Sequence, residues 1–334
     1  MPEETTPIDQ RLLNDWQRDF PIVEHPFDAI AEALGIAPEA VTERLELARR
    51  SGRVTRVGAT CAPNTVSAST LAAVAAPPDR IEEVATIIGE EEGVNHSYLR
   101  EHDWNLWFVA TGPDRAHVDA ALARIAARSG LRVLDLALVR PFNVDLGFSM
   151  TETGTARHLT RPADVSVFTE ADRPIIEALM RGLPLVARPY AAIAARLGMS
   201  EAHVLERVRV LTAAGIIARL GVIVRHRALG WSSNAMVVWD MTSDEITHAG
   251  PLLARQPGVS LCYERRPVEG VWPYRLYSMI HARSRREALD HLDNICKLPE
   301  FRDVPHLPLF SIRCFKQTGA MVGRSAATDL RASA

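Results

Sequence analysis

The 334-residue sequence predicts an α+β chain written twice, each copy a winged helix-turn-helix followed by a ferredoxin-like βαββαβ unit. Three observations predict it: an internal repeat, a helical apolar stripe stopped by glycine, and the strand and helix patterns that alternate after it. "HPFDAIAEALGIAPEAVTERLELARRSGRVTRVGA" begins at His25, and "RPYAAIAARLGMSEAHVLERVRVLTAAGIIARLGV" begins at Arg188. In ungapped register Pro26 meets Pro189 and Leu34 meets Leu197, while Gly35, Gly52 and Gly58 meet Gly198, Gly215 and Gly221. Upstream, Leu12, Leu13 and Phe20 meet Ile175, Ile176 and Leu183. So many coincidences without a gap mean a duplication.

The elements follow in order. Phe27, Ile30, Ala31 and Leu34 recur at helical spacing on one face, and Tyr190, Ile193, Ala194 and Leu197 repeat that face. Gly35 or Gly198 stops this helix. Val41, Leu45 and Ala48 (Val204, Val208 and Leu211 in the second copy) carry the next stripe, which ends at Gly52 or Gly215. Two short helices joined by a glycine-containing turn make a helix-turn-helix, and "RVTRVGA" or "IIARLGV" then reads as a β-wing. Beyond it, "TVSASTLAAVAAP" reads as a strand, "DRIEEVATIIGEEEG" as a helix, and "VNHSYLRE" with "WNLWFVAT" as a strand pair. "DRAHVDAALARIAARSG" is a second helix and "LRVLDLALVRPF" a last strand; the second copy runs the same course from Trp231 to Phe315. The chain divides into a first helix-turn-helix (1–60), a first ferredoxin-like domain (61–146), a linker (147–168), the second helix-turn-helix (169–226), the second ferredoxin-like domain (227–320) and a tail (321–334).

Bulk properties narrow the function classes. A net charge of −3 argues against a nucleic-acid coat, which normally shows as a basic domain. The polar, acidic start "MPEETTPIDQ" is not expected to act as a signal peptide, and no apolar run is long enough to cross a membrane. Cys61, Cys262, Cys296 and Cys314 are scattered without a CxxC pair or a recurring Cys/His spacing, which reads as reduced thiols in a cytoplasmic protein. GxGxxG, P-loop and GxSxG patterns are missing, so nucleotide-dependent and serine-hydrolase chemistry have no support. The second helices present Glu39, Glu43, Glu46, Glu201 and Glu206, which would repel phosphates, and the helix-turn-helix is expected to be scaffold rather than reader of DNA.

Chemistry concentrates in "GVNHSYLREHDWNLWFVATG", residues 93–112, and in its counterpart "GVSLCYERRPVEGVWPYRLYSMIHAR", residues 258–283. Both keep a Tyr-x-Arg: Tyr98 and Arg100 in the first, Tyr263 and Arg265 in the second. Around it His96, His102 and Asn105 give way to Leu261, Pro267 and Arg275. Residues two apart share a face of a strand, so His96, Tyr98, Arg100 and His102 are expected to point one way. For any one of them an amphipathic rim position is sufficient explanation. Two histidines, an arginine and flanking tryptophans together suit a broad, flat, polyanionic ligand better.

A winged helix-turn-helix with a ferredoxin-like domain resembles the Lrp/AsnC family. Within it, His96-x-Tyr98-x-Arg100-x-His102-x-x-Asn105-Leu106-Trp107-Phe108 resembles one subunit type of the siroheme decarboxylases. Cys262-Tyr263-x-Arg265 followed by Trp272-Pro273-Tyr274-x-Leu276-x-x-Met279-Ile280-His281 resembles the other, so the chain looks like a fusion of the two; Arg275 departs from the Asn expected there. The resemblance implies conversion of siroheme to 12,18-didecarboxysiroheme in heme d1 biosynthesis, with two acetates becoming methyls and two CO2 released. It implies no separate cofactor and no metal of the protein's own, since the iron belongs to the substrate.

Arginine pairs with carboxylate through parallel hydrogen bonds, and histidine titrates near neutrality. On that basis His96 and His102 are the expected proton donor and iron-facing ligand in either order. Arg100, Arg265 and Arg266 are expected to clamp carboxylates. Tyr98, Trp104, Asn105, Tyr263, Tyr274 and Arg275 are expected to line the pocket, with His281 as the next candidate acid. A tight clamp on the scissile carboxylate would stabilise a charge that the transition state loses, so most arginines should hold the carboxylates that survive. Arg140 and Arg313, aligned on the last strands, are expected to form salt bridges. The copies are expected to pair within the chain as a pseudo-symmetric internal dimer, and two chains could associate further. Other heme d1 pathway proteins are candidate partners; specific DNA and membrane are not. The alternatives are an Lrp/AsnC-type transcription regulator that responds to a small molecule or haem, and a catalytically silent haem-binding module.

Overall fold

The computed structural model describes residues 6–143, 162–225 and 230–318. Most of the expected linker and all of the expected tail lie outside the described residues. The chain forms two compact units, one holding the described residues up to Thr65 and from 162 to Gly230, the other those from Val66 to 143 and from Trp231 onward.

The first unit contains both helix-turn-helix copies. Helices α1 (Pro7–Asp15), α2 (Pro26–Leu34) and α3 (Pro38–Arg50) lead into strand β1 (Val54–Cys61). The second copy of this run, α6 (Arg173–Arg181), α7 (Pro189–Leu197), α8 (Glu201–Ala213) and β6 (Ile217–Val224), is counted after the elements of the second unit that precede it in the chain. The apolar stripes read from the sequence are the buried faces: Phe27, Ile30, Val41 and Leu45 in one copy, Tyr190, Ile193, Val204 and Val208 in the other. Gly35 and Gly198 close α2 and α7 in the left-handed conformation that other residues adopt only with strain.

The expected wings differ from expectation. Neither copy folds its strand back on itself; β1 pairs antiparallel with β6 of the other copy, Gly58 opposite Gly221. The physical reason is close approach. An added Cβ at Gly58 would collide with the carbonyl of Leu179, and one at Gly221 with the backbone of Trp16 and Gln17, so each strand lies directly against the other copy or its first helix.

The second unit contains both ferredoxin-like copies. The first runs β2 (Ala68–Val74), α4 (Ile81–Glu90), β3 (Val94–Arg100), β4 (Leu106–Gly112), α5 (Arg115–Ser129) and β5 (Val133–Asn143). The second runs β7 (Ser233–Trp239), α9 (Ser243–Leu253), β8 (Val259–Arg265), β9 (Leu276–Ala282), α10 (Arg285–Cys296) and β10 (His306–Gln317). The described strands close into a barrel of order β10-β3-β4-β2-β5-β8-β9-β7. The copies thus pair within one chain, as expected, and they do so edge to edge: β3 joins β10 and β5 joins β8. Closure leaves neither sheet with an open edge in this ring.

Alternation along the strands divides the core. Val84, Ile88, Phe108 and Val118 fill the layer under α4 and α5, and Val237, Trp239, Ile246 and Ile280 the layer under α9 and α10. Trp107, Leu134, Leu136, Met236, Val238, Trp272, Tyr277 and Leu309 fill the barrel interior. Arg140 and Arg313 form ion pairs with Glu264 and Glu82, which accounts for both as salt bridges.

Candidate functional site

Val94 belongs to the layer beneath α4 and α5, and a regular strand would send His96 to the same side. A bulge between Val94 and His96 turns the rest of β3 over. His96 then lies opposite Val109 and Tyr98 opposite Trp107, on the interior side. The same irregularity recurs between Val259 and Leu261, placing Leu261 opposite Met279 and Tyr263 opposite Tyr277. The two quoted stretches therefore occupy equivalent positions in the barrel wall, with Tyr98 and Tyr263 on its inward side.

The retained Tyr-x-Arg works identically in both. Arg100 Nη1 donates to the Leu309 carbonyl at 2.9 Å, and Arg265 Nη1 to the equivalent Leu136 carbonyl at 2.9 Å. Each arginine thus crosses to the other copy, and each lies near its own tyrosine ring, 5.6 Å for Arg100–Tyr98 and 5.0 Å for Arg265–Tyr263. Burial lowers the pKa of Arg265 and raises those of Tyr263 and Tyr277, so both phenols stay protonated.

Beyond that the halves differ. Arg100, only 5% exposed, also donates to Asn234 Oδ1 at 3.2 Å. Asn234 Nδ2 donates to His281 Nε2 at 2.8 Å; His281 Nδ1 then donates to Ser260 Oγ at 2.7 Å, and that hydroxyl to the Met279 carbonyl at 3.1 Å. The chain of donors is self-consistent only for the neutral Nδ1–H form of His281.

The two expected histidines are not brought together. His96 donates from Nδ1 to Asn95 Oδ1 at 2.9 Å and stacks 6.4 Å from Tyr98. His102 does not continue the alternation, because β3 ends at Arg100 and His102 sits in the hairpin turn. Its Nδ1 accepts from the Trp104 amide at 3.0 Å, and its ring meets Trp272 edge to face at 5.4 Å. Burial lowers its pKa against the opposing pull of Asp103.

Among the other expected residues, Trp104, Tyr263 and Tyr274 pack against the interior cluster. Asn105 instead binds backbone on both sides of its amide, Ala76 N to Oδ1 at 3.0 Å and Nδ2 to Ala76 O at 2.8 Å, pinning the hairpin to the end of β2. Arg266 is exposed, and Arg275 is half-buried with its amide on Trp239 O. Sequence reasoning missed Asn234 and Ser260, which carry no signal as single polar residues in strand patterns. It also passed over Trp107 and Trp272 as pocket builders. Their rings lie 5.3 Å apart, and their indole N–H groups are satisfied by Trp104 O and Tyr277 Oη. Two tryptophans inside the quoted stretches were the available signal.

Burial pushes the Cys61 thiol up to about 12 and raises Cys262 further, so neither supplies a thiolate nucleophile. Among the described residues no group of three or more His, Cys, Asp or Glu is placed to hold a metal ion, and no helix is long and apolar enough to cross a membrane.

Comparison with known proteins agrees with this architecture. The family model for an AsnC-like ligand binding domain matches residues 66–142 and 228–316. The model for a siroheme decarboxylase NirDL-like HTH domain matches residues 9–54 and 172–217. The siroheme decarboxylase NirDL subunit of Paracoccus denitrificans is 51% identical over 96% of this chain and 98% of its own. The crystal structure of the siroheme decarboxylase NirDL superposes with a TM-score of 0.71 at 27% identity, covering 98% of both chains. The same enzyme in complex with an iron-uroporphyrin III analogue gives a TM-score of 0.68 at 27% identity, covering 94% of this chain and 93% of that one. The chain belongs to the siroheme decarboxylase family.

Proposed function

We propose that this chain is a siroheme decarboxylase that removes CO2 from two acetate side chains of siroheme to give 12,18-didecarboxysiroheme. The observation that carries the reading is the full-length match to a siroheme decarboxylase NirDL subunit. The iron-uroporphyrin analogue held by a structural relative supports a flat, polycarboxylate ligand. Siroheme is the substrate and brings its own iron; the reading includes no further cofactor and a cytoplasmic location.

The chemistry asked of the protein is small in kind. The bond from a ring-attached methylene to its carboxylate breaks, CO2 leaves, and the electron pair left on the methylene takes a proton. His96 is assigned that proton. Its Nδ1–H is held by the side-chain Oδ1 of Asn95, so Nε2 is the atom that loads and delivers. His102 suits the role less, because its Nδ1 accepts an amide hydrogen and burial disfavours its charged form. It instead closes one end of the aromatic cluster against Trp272. Tyr98, Trp104, Tyr263 and Tyr274 offer flat surfaces to the macrocycle, and Arg265 a guanidinium for a carboxylate that survives the reaction.

The regulator reading loses support from the first unit. Arg44 and Arg207, at equivalent places on α3 and α8, are bound to Asp9 and Asp172, and Arg49 and Arg50 to Glu46. The strands that would be wings pair with each other. Anaerobic incubation with siroheme followed by mass spectrometry of the pigment tests the proposal. Loss of two CO2 per macrocycle is expected, and a pigment recovered intact would reject it.

A further inference from the structure

Equivalent positions in the two halves of the barrel hold different side chains at one place that matters to the arginines. Asn234 on β7 pairs with His281 on β9, and the equivalent pair on β2 and β4 is Ser69 with Thr111. Asn234 is long enough to bind Arg100 from the other copy, and its orientation is fixed. Were its amide turned over, two donors would face each other at Arg100, and His281 would have to move its ring proton to Nε2, so that the Ser260 hydroxyl would turn to Nδ1 and give up the Met279 carbonyl. Arg100 is thus tied between Asn234 and Leu309 O and is closed to solvent.

The other half lacks this lock. Ser69 is shorter than Asn234, and among the described residues the Arg265 side chain makes one hydrogen bond, to Leu136 O. Where Arg100 is 5% exposed, Arg265 keeps partial exposure. No acid among the described residues lies within ion-pair distance of it, and burial lowers its pKa against a weaker opposing pull from Tyr263, Tyr277 and Asp135. A desolvated cation in that state gains more from an arriving anion than a hydrated one does.

We infer that the Asn234/Ser69 difference decides which of two equivalent arginines engages the substrate: Arg265 takes a carboxylate of the tetrapyrrole, and Arg100 is a fixed strut of the barrel wall. This rests on the siroheme reading above. It makes the halves unequal by design of one side chain, so a single macrocycle carboxylate is oriented from the second copy while His96 acts from the first. Asn234 is a positioning residue here, acting through Arg100 and His281.

Reciprocal exchange tests the inference. The full chain and its Ser69→Asn, Asn234→Ser and Arg265→Gln variants are titrated with iron-uroporphyrin III, followed by visible absorbance, with thermal melts as a check on folding. Ser69→Asn supplies the missing amide to Arg265 and should weaken binding about 10- to 100-fold, the scale of a lost hydrogen bond to a charged group. Arg265→Gln should weaken it to a similar degree. Asn234→Ser removes the tie on Arg100 and frees a second guanidinium, so it should hold or strengthen binding, opposite in sign to Ser69→Asn. Wild-type affinity in Arg265→Gln, or an equal loss in Asn234→Ser and Ser69→Asn, would overturn the assignment. If Ser69→Asn fails to melt cooperatively, the Arg265→Gln and Asn234→Ser pair decides. Wild-type protein that ignores the pigment would reject the functional reading itself, a distinct result.

Discussion

His96 and His102 belong to one sequence pattern yet end in opposite situations, one donating to a carboxamide on the strand, the other accepting an amide hydrogen in a turn. This separates their expected effects. His96→Gln should lower turnover by about 10²–10⁴-fold, the usual contribution of a positioned acid, with pigment binding retained. Unchanged single-turnover decarboxylation in that variant would remove His96 from the mechanism. His102 should instead register in stability. Its folded pKa lies below the unfolded value near 6.5, so the unfolded chain binds the proton more readily. The penalty is absent above that value and grows as pH falls below it. His102→Asn should therefore flatten the loss of melting temperature between about pH 7 and pH 5; an identical slope in both proteins would contradict the burial argument. The sequence made the inward-facing His, Tyr and Arg legible through alternation. It could not show where the alternation stopped, because a strand end and a bulge leave the residue types unchanged.

At the scale of elements, the helices of both helix-turn-helix copies were legible because a 3.6-residue apolar period needs no knowledge of the partner. The strands after them were not, because a single strand declares that it must pair and not with what. Gly58 and Gly221 held the missing information. Both sit where a side chain would strike backbone of a neighbouring helix or the residues just after one, which only interlocked copies bring about. Gly58→Ala should therefore destabilise the protein by about 1–3 kcal/mol, the range for forced overpacking, although alanine is the milder residue for a strand. A denaturation midpoint equal to wild type would mean the close approach relaxes without cost. One of the acids on the second helices has a local role instead. Glu46 holds Arg49 and Arg50, so these are intramolecular ties before they are repellers of phosphate.

The whole molecule follows from the duplication, since each ferredoxin-like copy brings two sheet edges that the other can complete. In one chain β3 finds β10 and β5 finds β8, and the arginines of both Tyr-x-Arg pairs cross that seam to Leu309 and Leu136. The seam is backbone pairing joined by an arginine hydrogen bond on each side, so neither copy should be stable in solution with its edges open. This gives a measurable expectation. If the chain is divided in the 144–161 segment and the two pieces are produced together, they should purify as a one-to-one complex that binds iron-uroporphyrin III. The first piece produced alone should self-associate through β3 and β5, giving dimers or aggregates, since closure is the only way these edges are satisfied. Native mass spectrometry separates the outcomes. Two pieces that stay monomeric and fold independently would show that the barrel is an arrangement of finished domains. A complex that forms only from the pair would show that the two copies are halves of one domain, which is what an arginine hydrogen-bonded across each seam requires.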